Sequence, residues 1–232
     1  MSYTPNDFFK DLKGSIFDPN SETHKEIMAK LPSERPVEPP EMRTEDEFWQ
    51  ECEIPLRFRR TASSLKRFDG WSAINTSLRT KIDHTPGFCV VLRGERGTGK
   101  TQLAVEALKY GYIAFGLRVK MTSARDIQLA TTASFKKDTL TDREVLDSFI
   151  KPDLLLVDEF DWQPSDREHY FNQNLFYILD KRYQWMKSTI LTSNKSTDDF
   201  EKTTDPGILS RMNEGGGCFS TDGFENFRTR YN

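Results

Sequence analysis

From about residue 70 onward, short runs rich in apolar and β-branched residues alternate with longer amphipathic ones. FCVVL (88–92), LRVKM (117–121), DLLLVDEF (153–160) and STILTSN (188–194) read as strands, the third being apolar enough to be buried on both faces. Between them, WSAINTSLRTKI (71–82), Thr101–Tyr110, Asp126–Phe135, Leu140–Phe149 and REHYFNQNLFYILDKRYQWM (167–186) carry the spacing of helices. GCFS (217–220) and a FENFRTRY tail close the chain. Strands alternating with helices predict βαβ units, hence an α/β fold with a parallel sheet of about five strands and helices on both faces.

The first part of the chain breaks this rhythm. Seven of the 11 prolines fall in the first 55 residues, and the run LPSERPVEPPEMR (31–43) can neither continue a helix nor supply a core. Ser21 can cap a short helix over ETHKEIMAK, and Thr44 with Glu47 has capping-box spacing ahead of Phe48 and Trp49. Residues 1–51 are therefore expected to be a small helical N-terminal arm, with residues 52–232 forming the main domain. Isolated aromatics on short helices suit docking into a partner's groove as well as packing on the main domain.

Composition narrows the function classes. Thirty-three Lys and Arg against 36 Asp and Glu leave a net charge of −3, which excludes a globally basic nucleic-acid coat but not a local basic channel. Hydrophobic residues are only 36% of the chain, so the surface is strongly solvated. No run of 18 apolar residues is present, so no membrane span is expected. The N-terminal residues do not lead from a basic stretch into an apolar one, and the expected location is the cytoplasm. Cys52, Cys89 and Cys218 are too few and too scattered for a disulfide framework or a metal knuckle.

Four motifs carry the candidate chemistry. Gly94-Glu95-Arg96-Gly97-Thr98-Gly99-Lys100-Thr101 fits the phosphate-binding pattern G-x-x-x-x-G-K-[ST] and lies between a predicted strand and a predicted helix. Glycines let backbone N–H groups converge on phosphate oxygens, and the helix start adds its positive dipole end. These residues, with Gln102 following, are the expected contacts to ATP. Lys100 would supply charge at the β- and γ-phosphates and the Thr101 hydroxyl would ligate Mg²⁺. Asp158 and Glu159 end the apolar strand 153–160, where ligands of open α/β sheets bind. Asp158 is the second expected metal ligand, and Glu159 would polarise the attacking water. Asn194, at the end of STILTSN, could orient that water, although Ser-Asn is also turn chemistry. Arg211, after the Pro206-Gly207 break, could stabilise charge on a phosphoryl group.

In this order and spacing the motifs resemble those of AAA+ ATPases, and more closely those of the helicase loaders and IstB-type ATPases. Ile54-Pro55-Leu56-Arg57-Phe58-Arg59, Met121-Thr122-Ser123-Ala124-Arg125-Asp126-Ile127, Leu191-Thr192-Ser193-Asn194 and Phe224–Arg230 are similar to segments of that group, over about residues 52–232. The resemblance implies a P-loop domain without a C-terminal helical lid. It implies Walker roles for Lys100, Thr101, Asp158 and Glu159, and a sensor role for Asn194, with Ser193 as a shifted alternative. It further implies an arginine finger at Arg211 acting in trans, and Arg228 or Arg230 as candidates for a second sensor. The implied function is an ATP-hydrolysing loader that self-associates, grips a hexameric replicative helicase through residues 1–51 and contacts single-stranded DNA.

Lys120, Arg125, Phe135, Lys136 and Lys137 combine cations with an aromatic, which suits single-strand tracking but also describes a solvated helix face. Arg57, Arg59, Arg60, Lys66 and Arg67 form a second basic stretch. Three other readings stay open. An IstB-like ATPase would bind target duplex DNA and assist a transposase. A non-catalytic adaptor would use nucleotide only as a switch. A nucleotide kinase fits least, given the Asp-Glu pair.

Overall fold

The computed structural model describes residues 43–59, 69–134, 142–161 and 169–227. The predicted helix at 22–30, the linker at 31–42, and Phe135, Lys136, Lys137, Arg228 and Arg230 lie outside them. So do Arg60, Lys66 and Arg67.

Helix α1 (Glu45–Glu51) opens with Thr44 as its cap, the side chains of Thr44 and Glu47 bonding reciprocally to the other's backbone. A 3₁₀ turn (Leu56–Phe58) leads towards α2 (Asp69–His84). Then follow β1 (Cys89–Arg93), α3 (Lys100–Phe115), β2 (Val119–Ser123), α4 (Ala124–Ser134), α5 (Asp142–Ile150) and β3 (Leu154–Asp158). The chain continues through α6 (His169–Gln184), β4 (Ser188–Ser193), α7 (Thr197–Thr203), α8 (Pro206–Gly215) and β5 (Gly217–Ser220). The strands form one parallel sheet in the order β2-β3-β4-β1-β5. The expected five-stranded α/β architecture is therefore the observed one.

Period-two alternation along the central strands explains the two-sided core. Val90 and Leu92 of β1, Leu154 and Leu156 of β3 and Ile190 of β4 face α1, α2 and α3. The intervening Val91, Leu155, Val157 and Leu191 face α4 to α8. Both sets are fully buried, so the apolar runs had no polar face to show.

Helix α1, placed in the arm by its sequence, is built into the first of these cores. Phe48 is fully buried, with its ring 5.6 Å from that of Tyr112. Lys109 of α3 reaches Glu45 at 3.0 Å, and the Tyr112 hydroxyl donates to Glu51 at 2.5 Å. A residue that seats in a neighbouring core cannot also be part of a free tether, so residues 45–51 belong with the main domain.

Strand β2 is displaced by two residues from the sequence reading: Arg118 pairs with Asp153 before the ladder starts, and the strand runs on to Ser123. At the same end of the sheet, Arg182 of α6 is fully buried, and among the described residues no carboxylate is ion-paired with it. Its guanidinium instead donates to the carbonyls of Phe149, Ile150, Pro152 and Ser188 and to the Thr189 hydroxyl. The carbonyls of Phe149 and Ile150 belong to the last turn of α5, where a cation also meets the negative end of the helix dipole.

Candidate nucleotide site

The phosphate loop connects β1 to α3, and three of its glycines take positive φ: Gly94 at 136°, Gly97 at 89° and Gly99 at 88°. L-residues with a Cβ rarely adopt these angles, so the loop's shape depends on the glycines. Gly99 caps α3, which then presents its first N–H groups at the mouth of the loop. The Lys100 ammonium is almost fully buried and donates to the carbonyls of Gly94 and Glu95, each at 2.7 Å. It is held across the loop, within the space its own backbone encircles. Glu95 and Arg96 turn their side chains to solvent. The side chain of Gln102 turns away from the phosphate loop. It is buried on the other side of the helix start, donating to the Phe58 carbonyl at 3.0 Å and lying against Glu106.

Parallel pairing of β3 with β4 brings the second and third motifs to the loop. Thr101 donates to Asp158 Oδ1 at 2.9 Å, and Thr192 donates to the same oxygen at 2.5 Å. Thr192 in turn accepts from the Glu159 N–H at 3.0 Å, while its carbonyl accepts from the Phe160 N–H at 2.7 Å. Glu159 thereby sits at φ 54°, an uncommon conformation for a residue with a side chain. The turn aims its carboxylate out of the sheet end, exposed, while Asp158 stays half-buried beside Thr101. One acid is spent on hydroxyls and the other is offered to solvent, as two different roles require.

Thr192 and Asp161 were given no role by sequence reasoning. Asp161 accepts from the Ser193 hydroxyl and the Asn194 N–H, both at 3.1 Å, and from the Asn194 amide at 3.3 Å. It fixes the direction of Asn194, and its signal was the third acid in Asp158-Glu159-Phe160-Asp161.

The donor set fits magnesium. A hydroxyl and a carboxylate 2.9 Å apart, both hard oxygen donors, lie at the loop's mouth. Among the described residues no cluster of three or more His, Cys, Asp or Glu offers a cage for a softer metal. Two protein ligands plus phosphate oxygens and water are the usual Mg²⁺ arrangement.

Arg211 stands apart from this site. It lies on α8 and is ion-paired with Asp180 of α6, its guanidinium 5.1 Å from the Phe176 ring centroid and 5.3 Å from that of Tyr183. With Cys89 and Thr189 it lines a crevice at the amino ends of β1 and β4, opposite the phosphate loop. It does not reach the nucleotide site of its own chain. Of the basic candidates, Lys120 lies over the Phe149 ring at 4.5 Å and donates to Ser148, and burial lowers its pKa. Arg125 is exposed on α4. Arg57 is exposed, and Arg59 is turned back onto the Ile54 carbonyl at 2.7 Å.

Sheet order, phosphate loop and acidic strand end define a P-loop nucleotide-binding domain of the AAA+ type. Residues 83–211 match the family described as IstB-like ATP binding protein, and the chain belongs to that family. The replicative helicase loader DnaC of Escherichia coli K12 is 24% identical over 140 residues, which is 60% of this chain and 56% of that protein. The match thus spans about half the length of that curated relative. The crystal structure of the DnaC helicase loader superposes with a TM-score of 0.57 and 22% identity, over 66% of this chain and 91% of that one. AMPPCP-bound DnaA from Aquifex aeolicus gives a TM-score of 0.59 and 23% identity, over 72% of this chain and 51% of that one. At these identities the two structures establish the shared fold. No helix among the described residues is long and apolar enough to cross a membrane.

Proposed function

We propose that this protein is a Mg²⁺-dependent ATPase that loads a hexameric replicative helicase onto single-stranded DNA in the cytoplasm. The observation that carries the catalytic half is the split pair at the end of β3. Asp158 is tied to Thr101 and Thr192, while Glu159 is turned outward by its backbone. Lys100 and the loop N–H groups would hold the β- and γ-phosphates, and Thr101 with Asp158 would hold Mg²⁺, which neutralises charge on the phosphate oxygens. Glu159 is the base that takes a proton from the attacking water, and Asn194, oriented by Asp161, positions that water.

Arg211 faces away from its own nucleotide, as an arginine acting on a neighbouring subunit must. Reaching that neighbour requires it to leave Asp180, so subunit docking and release of this ion pair would be one event. The helicase contact is assigned to residues 1–42, the part of the expected arm ahead of the helix seated in the core, and the DNA contact to Arg125 with the basic residues near it in sequence. The similarity to a protein named as a replicative helicase loader supports this half.

Native mass spectrometry of the full chain mixed with a replicative helicase hexamer, with ATP and with ADP, tests the reading. A stoichiometric complex formed with ATP and lost on deletion of residues 1–42 is the expected result. Absence of any complex, together with ATP-dependent filaments on duplex DNA, would instead select the transposition role that the family match leaves open.

A further inference from the structure

The outer side of the phosphate loop is covered by the segment that follows β5. A methyl group on Gly94 would stand 2.5 Å from the Thr221 hydroxyl, and one on Gly97 would stand 2.1 Å from the Asn226 side chain. At Gly99 the nearest atoms are those of Phe227 and Trp71, at 3.5 and 3.6 Å. The Phe227 N–H donates to the Gly97 carbonyl at 3.0 Å. The glycines of the motif therefore make room for residues 221–227 on one side as well as for phosphates on the other.

Thr221 is fully buried at the start of this segment. Its hydroxyl donates to the Arg93 carbonyl at 3.1 Å and lies 2.6 Å from the Thr98 hydroxyl. Thr98 donates to the Glu95 carbonyl at 2.8 Å. Two hydroxyls have two protons, yet three short contacts ask for one each, so one contact must go without. The same Glu95 carbonyl also accepts from the Lys100 ammonium at 2.7 Å, which weakens its pull on the Thr98 proton. When Lys100 turns to a phosphate oxygen, the Glu95 carbonyl loses that donor and holds the Thr98 proton more firmly. The Thr98 oxygen is then left to accept from Thr221.

We propose that Thr221 is a positioning residue for nucleotide binding, coupling the placement of Lys100 on phosphate to the seating of residues 221–227 over the loop. The proposal rests on the nucleotide-site reading and adds a second wall to it, one built by the end of the chain rather than by the motif.

The test is equilibrium binding of a fluorescent ATP analogue, with ATP turnover, to wild type, Thr221→Val and Thr221→Ser. Valine keeps the shape and removes the hydroxyl. It should weaken binding about tenfold and raise KM more than it lowers kcat, the weight of one buried hydrogen bond. Serine restores the hydroxyl and should bind within about threefold of wild type. Hydrogen exchange on wild type provides a measurement that needs no variant. Nucleotide should slow exchange at the Thr221, Phe224 and Phe227 amides, which bond to Arg93, Thr221 and Gly97 respectively. A folded Thr221→Val that binds like wild type, or nucleotide protection that stops at the phosphate loop, overturns the proposal. A wild-type chain that binds no nucleotide at all overturns the site reading itself, and the two failures are distinct.

Discussion

At the scale of single residues, the site separates groups that hold from groups that react. Lys100→Ala should remove ATP binding, whereas Glu159→Gln should leave binding near wild type and lower turnover by two orders of magnitude or more, the range for loss of a general base. Asp161 gives a subtler expectation. Asp161→Ala releases Asn194, and kcat should fall about ten- to hundredfold with KM for ATP little changed, as misorientation does. Asp161→Asn keeps one acceptor oxygen and should recover part of that loss. ATP binding and steady-state phosphate release on the four variants check these expectations. The meeting of the phosphate loop, Asp158-Glu159 and Asn194 at one end of the sheet was legible because each is a short pattern placed at a strand end. Thr192 and Asp161 were not, since what marks them is a partner on another strand or loop. The side chain of Gln102 was not legible for the converse reason. Its neighbours in sequence bind phosphate, but its side chain finds the Phe58 carbonyl and Glu106.

At the scale of elements, two helices are anchored in ways that periodicity does not reveal. Arg182→Met keeps the length and apolar stem but strands the carbonyls that end α5. Buried carbonyls without donors are costly, so urea unfolding should show a loss of about 3 kcal/mol or more. Phe48→Ala should cost about 3–5 kcal/mol by opening a cavity between α1 and α3. A loss under about 1 kcal/mol would show that α1 is part of the tether after all. The central strands and most helices were readable because β1, β3 and β4 are buried on both sides and carry short apolar runs. The start of β2 was not readable, since Arg118 and Asp153 settle it by an ion pair between strands.

At the scale of the molecule, charges at the amino end of the sheet tie edge to centre. Asp153 accepts from Arg118 of the segment before β2 and from Lys187 before β4. Burial pushes its pKa up, but the hydrogen bonds from Arg118 and Lys187 outweigh this and hold it well below the ordinary 3.8. A carboxylate with a depressed folded-state pKa adds stability that is complete above its unfolded value and is lost as pH falls through the folded one. Asp153→Asn should therefore be less stable than wild type at pH 7. The gap should begin to close only below the ordinary carboxylate value of 3.8, as thermal melts across pH would show. The parallel architecture was legible from the strand–helix alternation. The division between arm and body was less so, because capping marks where α1 starts but not which core Phe48 enters.

All of these scales meet in one claim, that the end of β3 and the phosphate loop form a working ATPase centre. Phosphate release by the full chain, titrated with Mg²⁺ and compared with Glu159→Gln, measures it directly. Mg²⁺-dependent turnover in wild type, with undiminished ATP binding but almost no turnover in the variant, is the expected result. Equal turnover in the two proteins, or ATP binding without hydrolysis in wild type, would contradict it and leave a nucleotide-switched adaptor in its place.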